Sequence, residues 1–274
     1  MLTHAVEHPN VRLLTPIPSE RTDRLVVCLL GSFRLLRDGE QVESSITGKA
    51  ATLLSALALR LDTGIARDTL LELLWPEQAR DQAANSLHSL IYSLHRRMRI
   101  GDHDAPAVVH ANGAYALNRT AGVTTDIARY DALIAEGNRF ASFDREADAA
   151  QYYERAITLY RGDLTTGYDV FAVIERERLR TRFLTMLSWL ADRALSGGDC
   201  SAALDYALRL LACEPCREDA HRIVMRAHVH RGERAQALRQ YRVCEHVLRQ
   251  EFDASPESAT TELFDQIRIN VVRC

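Results

Sequence analysis

The spacing of apolar residues changes twice along the first 120 positions of the chain. Residues 25–42 alternate short apolar runs with turn residues, including an Asp38-Gly39 pair, which is typical of a small antiparallel sheet. From about residue 50 to residue 98 apolar side chains recur every three to four positions, which indicates helices. Residues 108–117 then place two strand-prone arms around Asn112-Gly113, a pair typical of tight hairpins. This order of sheet, helices and hairpin predicts a winged helix-turn-helix domain.

Three helices are predicted within the middle stretch, over residues 53–61, 67–75 and about 80–98. Each has one apolar face, and Pro76 follows the second as a stop signal. The side chains predicted to face the core are Leu53, Leu54, Leu57 and Leu61 in the first helix, Leu70, Leu71 and Leu74 in the second, and Leu87, Ile91, Leu94 and Met98 in the third. We place the winged-helix domain at residues 25–120.

Beyond Thr124 every segment has helical periodicity. The predicted helices cover residues 127–140, 146–160, 174–195, 201–213, 218–231, 234–252 and 260–271. The chain is therefore predicted to be mainly α, with an N-terminal α+β winged helix followed by an all-α helical-repeat domain at residues 124–274.

A repeat of 34 residues lies within the helical region. Gly198-Asp199 precedes Ala202-Ala203-Leu204, and 34 residues later Gly232-Glu233 precedes Gln236-Ala237-Leu238. A period of 34 with small residues inside paired helices is the signature of tetratricopeptide repeats. The alternative is a set of generic amphipathic helices, which the matched positions disfavour. A third, less regular unit at residues 149–156 completes a short predicted solenoid.

The outward side of the third predicted helix is polar, and no acidic residue occurs between Asp81 and Asp102. Four side chains recur at i, i+4, i+7 and i+11 and so share one face: Asn85, Ser89, Tyr92 and Arg96. Asparagine can form two hydrogen bonds with adenine, and arginine can do so with guanine or grip a phosphate. The alternative is an ordinary solvated face. The position of this helix, after two short helices and before a hairpin, favours contact with double-stranded DNA.

Several further residues complete the predicted DNA contacts. Lys49 and Arg67, near the starts of the first two helices, are candidates for phosphate contacts, although both could be ordinary surface charges. The hairpin tip is expected to touch the minor groove or the backbone. The full predicted set is Gln82, Asn85, His88, Ser89, Tyr92, Ser93, Arg96, Arg97 and Arg99 on the third helix, with Lys49, Arg67, His110 and Asn112 outside it.

Composition limits the classes of protein. The net charge of −3 excludes a nonspecific polycation, so any nucleic-acid contact must come from a local surface. No apolar run approaches the roughly 20 residues that span a bilayer, so no membrane association is expected. Residues 1–24 contain Pro9, Pro16 and Pro18 and lack a secretory signal pattern, so we predict a flexible N-terminal arm and a cytoplasmic location.

Candidate reactive residues are few. Cys213 and Cys216 form a CxxC pair, but no second pair at similar spacing completes a zinc site, so we interpret them as reduced turn residues between two helices. His221, His228 and His230 share one predicted helix, yet their spacing is not that of HExxH, and we interpret them as surface residues. The sequence therefore indicates no metal, no cofactor and no enzymatic activity.

Short motifs in both halves, taken in order, resemble the Streptomyces antibiotic regulatory protein (SARP) family over roughly residues 25–269. In the first half they are Leu30-Gly31-Ser32-Phe33, Gly48-Lys49-Ala50, Leu74-Trp75-Pro76, Asn85-Ser86-Leu87, Arg96-Arg97 and Gly113-Ala114-Tyr115. In the second half they are Leu159-Tyr160-Arg161-Gly162, Glu175-Arg176-Glu177-Arg178-Leu179, Arg217-Glu218-Asp219-Ala220-His221 and Ala237-Leu238-Arg239-Gln240-Tyr241.

The resemblance implies an OmpR-type winged helix joined to a bacterial transcriptional activation domain of tetratricopeptide-like helices. It also implies a regulator, more specifically an activator, that binds repeated promoter sites, often as two protomers, and recruits RNA polymerase. The third helix would be its recognition helix. An unidentified effector at the helical-repeat domain is a further hypothesis.

The sequence departs from the family where arginines are common, at Ser93, His95 and Ala51. Each lost phosphate contact would lower the salt-dependence slope of DNA binding by about 0.9. These departures keep open an alternative function, a helical-repeat adaptor or ligand sensor whose winged helix has weak or no DNA affinity.

Overall fold

The computed structural model describes residues 24–42, 46–98, 100, 105–164 and 170–269, so residues 1–23 of the predicted N-terminal arm lie outside the described residues. These residues divide into two compact units. The first extends to Arg129 but leaves out Leu30–Ser32, and the second comprises Leu30–Ser32 and the residues from Tyr130 onward.

The first unit contains a four-stranded sheet in the order β3-β2-β1-β7. Its strands are β1 (Leu25–Cys28), β2 (Arg34–Arg37), β3 (Glu40–Gln41) and β7 (Val123–Thr125). β1 pairs antiparallel with β2 and parallel with β7. All four residues of β1 are buried, as expected for a central strand. The Asp38-Gly39 turn that joins β2 to β3 has positive φ at both residues, the backbone of a tight hairpin turn.

Three helices and a second sheet complete the first unit. The helices are α1 (Lys49–Leu59), α2 (Arg67–Leu74) and α3 (Arg80–Arg97). The second sheet has the order β4-β6-β5, with β4 (Ile65–Ala66), β5 (Val108–Ala111) and β6 (Ala114–Leu117). Every leucine predicted to face the core from these helices is buried except Leu61, which lies beyond the end of α1.

The second unit is helical. Its helices are α4 (Asp126–Ala141, which begins in the first unit), α5 (Glu146–Leu159), α6 (Val170–Ser196), α7 (Cys200–Cys213), α8 (Glu218–His230), α9 (Arg234–Phe252) and α10 (Ser258–Arg268). One apolar cluster joins α6, α7 and α8, and another joins α8, α9 and α10. No helix in the described ranges combines the length and the apolar character needed to cross a bilayer.

The 34-residue repeat has a direct structural counterpart. Ala203 and Ala237, which occupy equivalent repeat positions, are both fully buried, so α7 and α9 can each approach a neighbouring helix closely. Gly198 and Gly232 precede these helices at matched positions, with φ of 81° and 75°. Such left-handed backbone is where glycine is favoured, which explains why the repeat retains it.

The predicted fold class, an α+β winged helix followed by tetratricopeptide-like helices, is confirmed. Two strands, β4 and β7, were not predicted. β4 has only two residues, too few to show a period, and β7 is defined by its parallel pairing with β1, about 100 positions earlier in the chain.

The surface interpretation of His221 is wrong. This side chain is 1% exposed, and its Nε2 lies 2.8 Å from the Pro215 carbonyl oxygen. Its Nδ1 lies 2.7 Å from the Gln240 side-chain nitrogen. Both ring nitrogens are therefore partnered, and His221 ties the turn between α7 and α8 to α9. Periodicity alone does not distinguish such a buried, hydrogen-bonded histidine from an exposed one.

Candidate nucleic-acid interface

The inner face of α3 is anchored in the core of the first unit. Leu87 and Leu94 are at most 1% exposed, and Ala83, Ala84 and Ile91 are also buried. Their spacing of three to four residues is that of one helical face. Because these side chains fix the rotation of α3 about its axis, they also decide which residues point outward.

The outer face of α3 is exposed along its length. The eight predicted contacts on the described part of the helix are all exposed: Gln82, Asn85, His88, Ser89, Tyr92, Ser93, Arg96 and Arg97. The side chain of Tyr92 is 66% exposed, which is high for a large aromatic residue. The remaining prediction on this segment, Arg99, lies outside the described residues. This polar face, which carries basic and amide side chains, is therefore accessible to a partner.

Two hydrogen bonds fix the C-terminal end of α3. Arg37, on β2, donates from its guanidinium to the Arg97 carbonyl oxygen at 3.1 Å. His95 Nε2 lies 2.9 Å from the Val108 carbonyl oxygen at the start of β5. Since a carbonyl can only accept, the ring must carry a proton on Nε2. The last turn holds His95, Arg96 and Arg97, whose basic character suits the negative end of the helix dipole.

His95 therefore has a structural role. The sequence marks it only as a departure from the family, whereas in the structure its ring is half-buried and bonded to the hairpin backbone. It couples the orientation of α3 to that of the β5-β6 hairpin. Arg37 was not identified from the sequence, because a side chain that reaches a carbonyl 60 residues away leaves no local signal.

The hairpin tip has the geometry predicted from Asn112-Gly113, with φ of 53° and 76° at these residues. Asn112 is exposed, and so is His110, whose ring packs against that of Tyr115 with centroids 4.4 Å apart. The Arg67 backbone N–H donates to the Gly113 carbonyl oxygen at 3.2 Å. The start of α2 is thereby tied to the hairpin turn.

Gly64 permits a close approach beneath the hairpin. It has φ of +66°, and a Cβ there would lie 2.6 Å from the Tyr115 carbonyl oxygen. Glycine is therefore needed both for the backbone conformation and for the space. The two-residue strand β4, which follows Gly64, can pair with β6 as a result.

The two predicted phosphate contacts lie on other helices. Lys49, the first residue of α1, is exposed, and its Nζ lies 4.6 Å from the centre of the Trp75 ring. Such a cation–π contact restrains the lysine while leaving its charge at the surface. Arg67 is the exposed first residue of α2. The contacts of Lys49 and Arg67 connect them to Trp75 and to the hairpin, not to the outer face of α3.

Comparison with known proteins places this geometry in context. Residues 125–268 match the family described as bacterial transcriptional activator domain. The chain is 27% identical to the regulatory protein AfsR of Streptomyces coelicolor over 253 residues, which are 92% of this chain and 25% of AfsR. It thus spans about a quarter of the length of that relative. It is 22% identical to the transcriptional regulatory protein MoaR1 of Mycobacterium tuberculosis, covering 81% of this chain and 72% of MoaR1.

One solved structure shares the fold. It is Mycobacterium tuberculosis EmbR in complex with a low affinity phosphopeptide, and it superposes with a TM-score of 0.70. The sequence identity is 22%, and the match covers 90% of this chain and 65% of that one. The likeness extends over both units of the chain and concerns their fold.

Proposed function

The chain belongs to the bacterial transcriptional activator domain family and has the organisation of the SARP type, and on this premise we propose that it regulates transcription by binding specific DNA sequences through α3. The curated relatives named above are regulatory proteins. In this proposal the outer face of α3 enters the major groove, where base edges can be distinguished.

The observation that carries the proposal is the division of α3 into two faces. Leu87 and Leu94 hold the helix in the core, while Asn85 and Arg96 are exposed on the other side. An amide that can pair with adenine and a guanidinium that can pair with guanine or phosphate suit base and backbone contacts. Burial of these two side chains would have excluded DNA binding through α3, and both are exposed.

Phosphate contacts would add affinity without adding sequence preference. Arg97, Lys49 and Arg67 are exposed cations at helix ends in the first unit and are proposed for this role. His110 and Asn112 at the hairpin tip are proposed to reach the minor groove or the backbone.

The chain is further proposed to act as an activator that binds repeated sites as two protomers and recruits RNA polymerase through the helical-repeat unit.

The test is equilibrium binding to a labelled DNA fragment from upstream of the chain's own gene, measured by fluorescence anisotropy at several salt concentrations. The full chain should bind this fragment more tightly than a scrambled fragment, and log K should fall linearly with log[salt]. Arg96→Ala should weaken binding, and it should reduce the slope by about 0.9 if Arg96 contacts a phosphate. Arg239→Ala is the matched control, since Arg239 is an exposed arginine on α9 whose guanidinium contacts Gln236.

A second function is favoured by one specific observation. His95 and Ser93 occupy positions where the family commonly has arginine, and His95 is bonded to Val108. Loss of these cations weakens the case for DNA affinity and favours an adaptor or ligand sensor. Absence of any salt-sensitive binding in the anisotropy experiment would support that alternative against the regulator.

A further inference from the structure

The β5-β6 hairpin is attached to the rest of the first unit along both of its strands. On the β6 side it pairs with β4, and at its tip the Gly113 carbonyl oxygen accepts from the Arg67 backbone N–H at 3.2 Å. On the β5 side the attachment is a side chain, since His95 Nε2 lies 2.9 Å from the Val108 carbonyl oxygen. Because His95 belongs to α3, this bond joins the two elements that are proposed to contact DNA.

The acceptor of this bond lies on an edge strand. The strand order β4-β6-β5 places β5 at the edge of its sheet, where outward backbone groups have no strand partner. Ala111 pairs with Ala114 directly beside the two-residue turn. Val108 lies three positions earlier, opposite Leu117, so the alternation of an antiparallel pair directs its carbonyl away from β6. His95 therefore provides a donor for a carbonyl on the open side of the hairpin.

The helix itself is held independently of this bond. Leu87 and Leu94 anchor α3 in the core, and both are at most 1% exposed. At its C-terminal end the Arg97 carbonyl oxygen accepts from the Arg37 guanidinium of β2 at 3.1 Å. These contacts do not involve the hairpin. Removal of the His95 bond should therefore leave the rotation of α3 unchanged and release the β5 side of the hairpin.

The relative position of helix and hairpin matters for DNA recognition. In the proposed function α3 enters the major groove, while His110 and Asn112 at the hairpin tip reach the minor groove or the backbone. The two contacts form together only if the tip is held at a set distance and orientation from α3. When it is held so, the second contact is intramolecular, and no ordering cost opposes it.

We propose that His95 is a positioning residue for DNA recognition. It holds the hairpin tip in register with α3, so that both elements contact one DNA site, and it does so through its bond to Val108 and not through a DNA contact of its own. The inference rests on the proposed function and names a residue outside the set assigned to the DNA interface.

The first experiment is anisotropy with the full chain and the labelled upstream fragment at several salt concentrations. His95→Leu removes the donor and should weaken binding by about fivefold. The salt-dependence slope should stay unchanged, because no phosphate contact is lost. His95→Gln places a donor at a similar reach and should bind within about twofold of the unmodified chain. Undiminished binding by His95→Leu would overturn the proposal, and so would a slope lowered by about 0.9, which indicates a direct phosphate contact.

Double-mutant cycles separate positioning from a general loss of affinity. Asn112→Ala should weaken binding by about fivefold in the unmodified chain but by less than about twofold in the His95→Leu background, where the tip contact is already lost. Asn85→Ala, on α3, is the matched control and should cause the same loss in both backgrounds. Equal losses for Asn112→Ala in the two backgrounds, including no loss in either, would overturn the proposal.

Folding is checked by circular dichroism and the thermal midpoint of each variant. If His95→Leu does not fold, His95→Asn takes its place, because its amide is too short to reach Val108, and the same results are expected. Lack of preference for the upstream fragment over a scrambled fragment in the unmodified chain would reject the proposed function as well. Preferential binding that His95→Leu leaves intact would reject the positioning role alone.

Discussion

His221 is surrounded by the groups that decide its protonation. Burial lowers its pKa, and the bond to the Pro215 carbonyl and the charges of Glu218 and Asp219 oppose that shift only in part. The folded protein therefore binds fewer protons at this site than the unfolded chain, whose histidine titrates at about 6.5. The free energy of unfolding should rise with pH up to that value and fall as the solution is acidified below it.

This pH dependence can be measured by urea denaturation between pH 5 and pH 8. In the His221→Gln variant the loss of stability between about pH 6.5 and pH 5 should be smaller than in the unmodified chain. His230→Gln, at an exposed position on the same helix, should retain the full loss. Parallel pH profiles for the unmodified chain and His221→Gln would contradict the assignment.

Gly64 provides a second prediction at the scale of one residue. Gly64→Ala forces alanine into left-handed backbone and places its Cβ against the Tyr115 carbonyl oxygen. Gly113→Ala imposes a similar backbone cost, but no heavy atom lies within 4 Å of its Cβ. The control variant should lose about 1 kcal/mol in the free energy of unfolding, and Gly64→Ala should lose about 1–3 kcal/mol more. Equal losses in urea denaturation would show that the close contact is relieved at little cost.

At the scale of one element, the two faces of α3 should respond differently to truncation. Leu87→Ala removes a fully buried side chain and should lower the free energy of unfolding by about 2–5 kcal/mol. Tyr92→Ala, on the exposed face, should change stability by less than about 0.5 kcal/mol and should weaken DNA binding instead. The measurements are urea denaturation and anisotropy with the upstream fragment. A strong loss of stability in Tyr92→Ala would contradict the orientation of α3.

An element could be predicted from the sequence where its signals are local, and could not where it depends on pairing with a distant segment. The limits of α2 and α3 were predicted to within one residue, because apolar periodicity and Pro76 are local signals. The β5-β6 hairpin follows from Asn112-Gly113 in the same way. By contrast, β7 exists through its pairing with β1, which no local pattern records.

The same distinction between local and long-range signals applies to the candidate site. The exposed face of α3 follows from helical spacing, since the buried leucines determine its opposite side. The hydrogen bonds that hold this face in place do not follow from helical spacing, because Arg37 and His95 bond to carbonyl groups of other elements.

At the scale of the whole molecule, the proposed function involves two protomers on repeated DNA sites. A DNA fragment with two copies of the promoter repeat should bind two protomers cooperatively, and the affinity for a fragment with one copy should be roughly tenfold lower. Gel-shift titrations that resolve singly and doubly bound DNA measure this directly. Independent filling of the two copies would contradict pairing of protomers on DNA and would leave binding by α3 to be tested separately.

The proposed function depends on recognition of base edges by the exposed face of α3. The most direct measurement is the ratio of affinities for the upstream fragment and its scrambled counterpart, determined by anisotropy for the unmodified chain and for Asn85→Ala. For Asn85→Ala the ratio should fall by about 5–150-fold, corresponding to about 1–3 kcal/mol of base discrimination, while affinity for scrambled DNA is unchanged. An Asn85→Ala variant with an undiminished ratio would contradict the claim.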